Sequence, residues 1–95
     1  MTTLKIGRLN VTVEKRLFGF HDVLVTNDKG VVLHVEEDIY SRSTRQVKYS
    51  EEYEEAVIFA ERYNLLLEMA DQALEKCDME TLNILANWMD EMKGV

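Results

Sequence analysis

Two histidines, one cysteine and several clusters of charge are the side chains here whose types can do chemistry. A helical zinc site needs two histidines one turn apart on a single face, whereas His21 and His34 fall on segments with strand periodicity. His34, with Glu36 and Asp38 close behind it, is the one grouping with acid–base or ligand character. Cys77 is the only cysteine, so an intramolecular disulfide and a cysteine-rich metal site are excluded. As a nucleophile it would need a histidine supplied from across the fold. Its position on an apolar helical seam instead suits a small buried hydrophobe. The four glycines stand singly, leaving no phosphate-cradling loop, nucleophile elbow or dinucleotide fingerprint. No catalytic residue, metal or cofactor is expected, and the chain reads as non-enzymatic.

The charges say more. The net charge of −7 is unevenly placed: residues 1–50 hold eight Lys/Arg and six Asp/Glu, residues 51–95 three and twelve. Such segregation bears on solubility and partner choice rather than fold. The acidic half repels a phosphate backbone, so direct nucleic-acid binding is not expected. Arg42, Arg45 and Lys48, within "YSRSTRQVKYS", form either an anion-binding site or a solvated segment that balances the acidic one. Glu51, Glu52, Glu54, Glu55 and Glu61, continued by Glu68, Asp71, Glu75, Asp78 and Glu80, form either a phosphate-mimicking, protein-binding face or a surface made acidic for solubility. Trp88, Met89 and Met92 are of the types favoured in partner-binding patches and equally suit a core.

Two kinds of element must carry these residues. Leu9, Val11 and Val13 alternate with Asn10, Thr12 and Glu14, which is the period of a half-buried strand. In "VLVTNDKGVVLHV" two β-branched runs flank Asn27-Asp28-Lys29-Gly30, a hairpin turn. With Asn27 opposite Val31, Val25 faces Leu33 and Val23 faces Val35, giving one apolar face. Phe18-Gly19-Phe20 turns the chain between the first strand and this hairpin. Residues 40–50 read as a basic connector, with or without a short edge strand around residues 46–49. Ser50 then caps a helix whose first residues, Glu51 and Glu52, suit the positive end of its dipole. Tyr53, Ala56, Ala60, Tyr63, Leu67, Ala70, Leu74 and Cys77 recur at spacings of three and four, a seam for a nearly parallel neighbour. Asp78 caps a last helix with Met79, Leu82, Leu85, Met89 and Met92 on one stripe, and Gly94 ends it.

Residues 70–85, "ADQALEKCDMETLNIL", resemble the IDEAL domain of small Firmicute proteins. That domain is named for an Ile-Asp-Glu-Ala-Leu run followed by an acidic residue and spaced apolar residues. Asp71, Ala73 and Leu74 match the run, Asp78 the later acidic position, and Leu82 and Leu85 the apolar positions; Ala70 and Gln72 depart from it. The resemblance implies an interaction or regulatory element without catalysis.

The expected fold is α+β, a three-stranded antiparallel β-meander followed by an antiparallel two-helix hairpin (β-β-β-α-α). Its 95 residues make a single domain, with the meander in 1–39, the connector in 40–50 and the hairpin in 51–95. The opening "MTTLKIGRLN" lacks a signal peptide's apolar core and no segment suits a membrane span, so a cytoplasmic protein without a membrane partner is expected. The expected function is regulation by protein–protein binding through the acidic hairpin, a homodimer along the seam being one form of it. The alternative is a phage or mobile-element inhibitor, anti-CRISPR-like, that occupies the nucleic-acid groove of a host enzyme by charge mimicry.

Overall fold

Four antiparallel strands lie in sequence order in one sheet: β1 (Thr2–Ile6), β2 (Leu9–Lys15), β3 (Phe20–Thr26) and β4 (Val32–Tyr40). A one-turn helix, α1 (Thr44–Val47), a long helix, α2 (Glu51–Glu75), and a last helix, α3 (Met79–Met92), follow. The structure, a computed structural model, describes residues 2–94. The α+β class is as expected, but the three-stranded meander is not: β1 adds an edge strand in register with β2 from Thr2↔Val13 to Ile6↔Leu9. Gly7 makes that pairing feasible. It turns the chain at φ +58, and a Cβ there would lie 2.2 Å from the Asn64 side chain of α2. Only glycine tolerates both conditions. The Arg8 amide, next in the turn, donates to Asn64 Oδ1 at 3.0 Å.

The alternation of β2 puts Leu9, Val11 and Val13 entirely inside, and Val23 and Val25 of β3 join them. Across this inner face runs α2, burying Ala56, Phe59, Ala60 and Tyr63, while Val47 of α1 and Ile39 of β4 close one end. The small alanines let the helix backbone approach the valine rows closely. Thr12, Leu24 and Glu14 face the other way and are half-buried, leaving the outer face of the sheet without a covering layer. At 25 residues, α2 is about 37 Å long, against about 23 Å for the seven residues of β2. Its last turns therefore overhang the sheet, which stretches the molecule to 50 × 22 × 21 Å.

The β3–β4 turn forms as its sequence asks. Asn27 Oδ1 accepts from the amides of Lys29 and Val31, both at 2.9 Å, and the Asn27 amide donates to the Val31 carbonyl. Beyond it the expected register fails: Val25 pairs with His34, not Leu33, and Val23 with Glu36, not Val35. Two bulges, between Val25 and Thr26 and between His21 and Val23, each insert a residue into β4. A one-residue slip exchanges the faces of a strand, so His34 and Glu36 come to the helix side. Val35, paired with Leu24, turns outward. The connector is corrected too. Residues 44–47 form α1 rather than an edge strand, capped by Ser43, whose Oγ accepts from the Gln46 amide at 3.3 Å.

Candidate protein-binding surfaces

The helical hairpin is built by its turn. The Asp78 amide donates to the Ala73 carbonyl at 2.8 Å and the Cys77 amide to the Leu74 carbonyl at 3.0 Å, the paired bonds of a Schellman cap. Cys77 takes the left-handed position, φ +55, where glycine is usual. It is exposed, not the buried hydrophobe expected, because the cap projects it past the sheet's end. Asp78 then starts α3, Oδ1 accepting from the Thr81 amide and Oδ2 from the Thr81 hydroxyl at 2.6 Å. These bonds, the hydroxyl's first, hold the Asp78 carboxyl below the usual carboxylate range. Ala73 and Leu85 are the buried residues of the two helices' overhanging portion.

The seam divides. Ala56, Ala60 and Tyr63 are buried against the sheet, and Tyr53 and Leu67 pack partly on the same core. Ala70 is half-buried, while Leu74, past the sheet's end, is 61% exposed. Most of the regular repeat is thus spent within the chain.

The acidic residues of α2 separate into four settings. Glu51, Glu52, Glu54 and Glu55 meet Glu36 around a depression of about 440 Å³. Glu61 and Glu68 line another of about 420 Å³ with Ile6, Arg62, Asn64 and Leu65. Asp71 is ion-paired with Arg8 at the surface, and Glu75 is exposed at the end of α2. Met92 is half-buried beside His34, Phe59 and Arg62. Trp88 is 49% exposed, and so largely outside the core. Arg42, Arg45 and Lys48 are exposed and make no ion pair among the described residues.

The two histidines are not brought together. His21 is wholly buried on β3 opposite Ile39, its Nδ1 3.1 Å from the Gly19 carbonyl and its Nε2 without a partner. His34 stacks on Phe59 with centroids 4.6 Å apart, and its Nε2 lies 3.7 Å from Glu36 Oε2. Asp38 is engaged elsewhere, 2.7 Å from the Arg16 guanidinium. Among the described residues no group of three or more His, Cys, Asp or Glu has the arrangement to hold a metal ion. No helix among them is long and apolar enough to cross a membrane.

Sequence reasoning missed a second surface, at the β2–β3 connection. Leu17 and Phe18 are 76% and 86% exposed, and Tyr40 is 73% exposed beside Phe20. Phe18 sits at φ 62, ψ 29, a left-handed conformation that costs an ordinary residue about 1–2 kcal/mol. The surroundings hold it there. The Arg16 amide donates to the Phe20 carbonyl at 2.7 Å and the Ser41 amide to the Gly19 carbonyl at 2.9 Å. The Arg16 guanidinium bridges Asp22 and Asp38, and hydrogen bonds to Asp22 and then Asp38 hold its pKa above the ordinary arginine value. Phe20 meets Tyr40 edge-on at 5.6 Å.

Compared with known protein families, curated proteins and solved structures, this chain has no match.

Proposed function

We propose that this protein is a non-enzymatic regulator, acting in the cytoplasm, that binds another protein through the outer face of the α2–α3 hairpin. The observation that carries this reading is a set of large apolar side chains left uncovered there: Leu65 at 56%, Met69 at 39%, Ile84 at 44% and Trp88 at 49% exposure. Contiguous exposed apolar surface of this kind is what interfaces use, and tryptophan is prominent among residues that dominate binding energy. The resemblance of residues 70–85 to the IDEAL domain points the same way. Since the sheet consumes most of the seam, a partner meets this outer flank rather than the alanine row.

The experiment is co-purification from host lysate with the native chain and with Leu65→Ser/Trp88→Ser. Both residues are half-exposed, so the variant should keep its helical circular dichroism while losing the retained protein. The same protein retained by both chains would overturn the proposal. The inhibitor reading draws on one observation of its own, the five carboxylates gathered at Glu36 and the start of α2. It requires that Lys at positions 51, 52, 54 and 55 abolish a salt-sensitive complex with a nucleic-acid enzyme.

A further inference from the structure

The hairpin's outer face has a shape and charge that select among partners, and the inference drawn from them rests on the protein-binding reading above. Successive residues of a helix are turned by about 100°. On α2 this places Leu65 and Met69 on one flank, turned away from the buried Ala56, Ala60 and Tyr63. On α3 it places Ile84 and Trp88 about 60–140° from Leu85 and Met89, which are buried and packed on the core respectively. The helices run antiparallel from the Cys77 turn, since Met92 near the end of α3 lies beside Ile58 and Phe59 in the first half of α2. Counting outward from it, Met69 lies level with Ile84, and Leu65 with Trp88. The four side chains therefore border one shallow groove between the helices, on the side away from the sheet.

Carboxylates bracket that groove. Glu61 and Glu68 stand on the far side of Leu65 and Met69, and Glu80 and Glu91 on the far side of Ile84 and Trp88, by the same angular count. None of the four has an ion-pair partner among the described residues. Two copies meeting face to face would set these rows against each other in a segment with three cations and twelve anions. Like charges so juxtaposed disfavour a dimer. A groove between two helices, apolar along its floor apart from the exposed Arg62 at the Met92 end and acidic along both rims, complements a third helix with one apolar stripe flanked by lysine or arginine. We propose that the occupant of this groove is a basic amphipathic helix of another protein, seated on Leu65, Met69, Ile84 and Trp88 with its cations on the acidic rims.

Trp88, the only tryptophan, reports on the groove directly. The probes are synthetic peptides of about 16 residues, or four to five turns. One has leucines at helical spacing with Lys and Arg on both flanks. The second has the same composition in an order that breaks the stripe, and the third replaces the cations with Glu. The first should shift Trp88 emission to the blue, protect it from acrylamide and bind at about 10 µM. Added salt should weaken it. Leu65→Ser should weaken it by about tenfold, and Glu61→Lys/Glu68→Lys should reduce it while admitting the acidic peptide.

Equal binding of the permuted peptide, no response at about 1 mM, or a sedimenting dimer in which Trp88 is already protected would each overturn the proposal. If co-purification still depends on Leu65 and Trp88 while the basic peptide fails, the occupant is wrong and the protein-binding reading stands. Loss of both overturns both.

Discussion

The hairpin's outer face and the β2–β3 tip both expose large apolar side chains, yet they are made in opposite ways. On the hairpin, Leu65, Met69, Ile84 and Trp88 occupy ordinary helical positions, and what exposes them is that helix periodicity supplies more apolar surface than the sheet and the seam can cover. At the tip, Phe18 is held left-handed and Leu17 and Phe18 point into solvent from a connection tied down by Arg16, Gly19 and Ser41. The first surface needs no unusual backbone and is bordered by unpaired carboxylates. The second is set by tertiary bonds, and its arginine is already bridged to Asp22 and Asp38. A strained, rigidly braced apolar tip and a relaxed acidic groove therefore respond differently to the same kinds of change.

The largest effect separates them at the core. Leu85→Ala removes the 1%-exposed residue that joins α3 to α2 and should cost about 2–5 kcal/mol, read by denaturant titration. Trp88 should change early and the sheet late. A single coincident loss of both would mean that the overhanging hairpin has no independent weakness. Next comes a contrast between left-handed positions. Gly7→Ala should cost more than about 1 kcal/mol, since its Cβ would meet Asn64 as well as strain the backbone.

Phe18→Gly should do the reverse. It releases a strained residue that the core does not use, and should stabilise by about 1 kcal/mol, seen as a melting temperature higher by several degrees, about 4–8 °C. It should leave peptide binding at the hairpin unchanged. Destabilisation would show that Phe18 packs on something the fold needs.

The smallest effect concerns pH at the hairpin turn. Because the folded state lowers the Asp78 pKa, its contribution is present above the ordinary carboxylate range and is lost as pH falls through the lower folded value. Asp78→Ala should flatten the acid limb of a melting-temperature profile, with no change near neutrality in its slope. An identical acid limb in both chains would remove Asp78 from the account.

Much of the fold was legible because its signals are local. The alternation of Leu9, Val11 and Val13, the Asn27 turn and the Ser50 and Asp78 caps each depend on a few neighbouring residues. What was missed depends on distant ones. The β4 bulges turn on tertiary partners: Asp38, at φ +60, donates its amide to Asp22 Oδ1 at 3.1 Å and meets Arg16. No alternation rule contains that contact, nor the other bulge, beside the turn, whose extra residue in β4 carries His34 and Glu36 to the helix side. β1 was missed because only Leu4 and Ile6 of "TTLKI" are large and apolar, and an edge strand needs few. Its one sign was Gly7 as a two-residue turn. α1 did leave a mark, Ser43 followed by Gln46, the spacing of a capping box. The acidic helix and Trp88 were legible as candidates for binding. Which apolar residues remain uncovered was not, because that depends on the relative rotation of two packed helices.

The most direct test of the hairpin as the binding surface is site-specific photo-crosslinking in the cells that make the protein. A benzophenone side chain replaces Leu65 in one sample and Phe18 in another, and the covalent products are compared on denaturing gels. The account predicts a discrete heterologous product from position 65, lost when Trp88→Ser is added. A product from position 18 with none from position 65 would contradict it, and would move the binding surface to the tip.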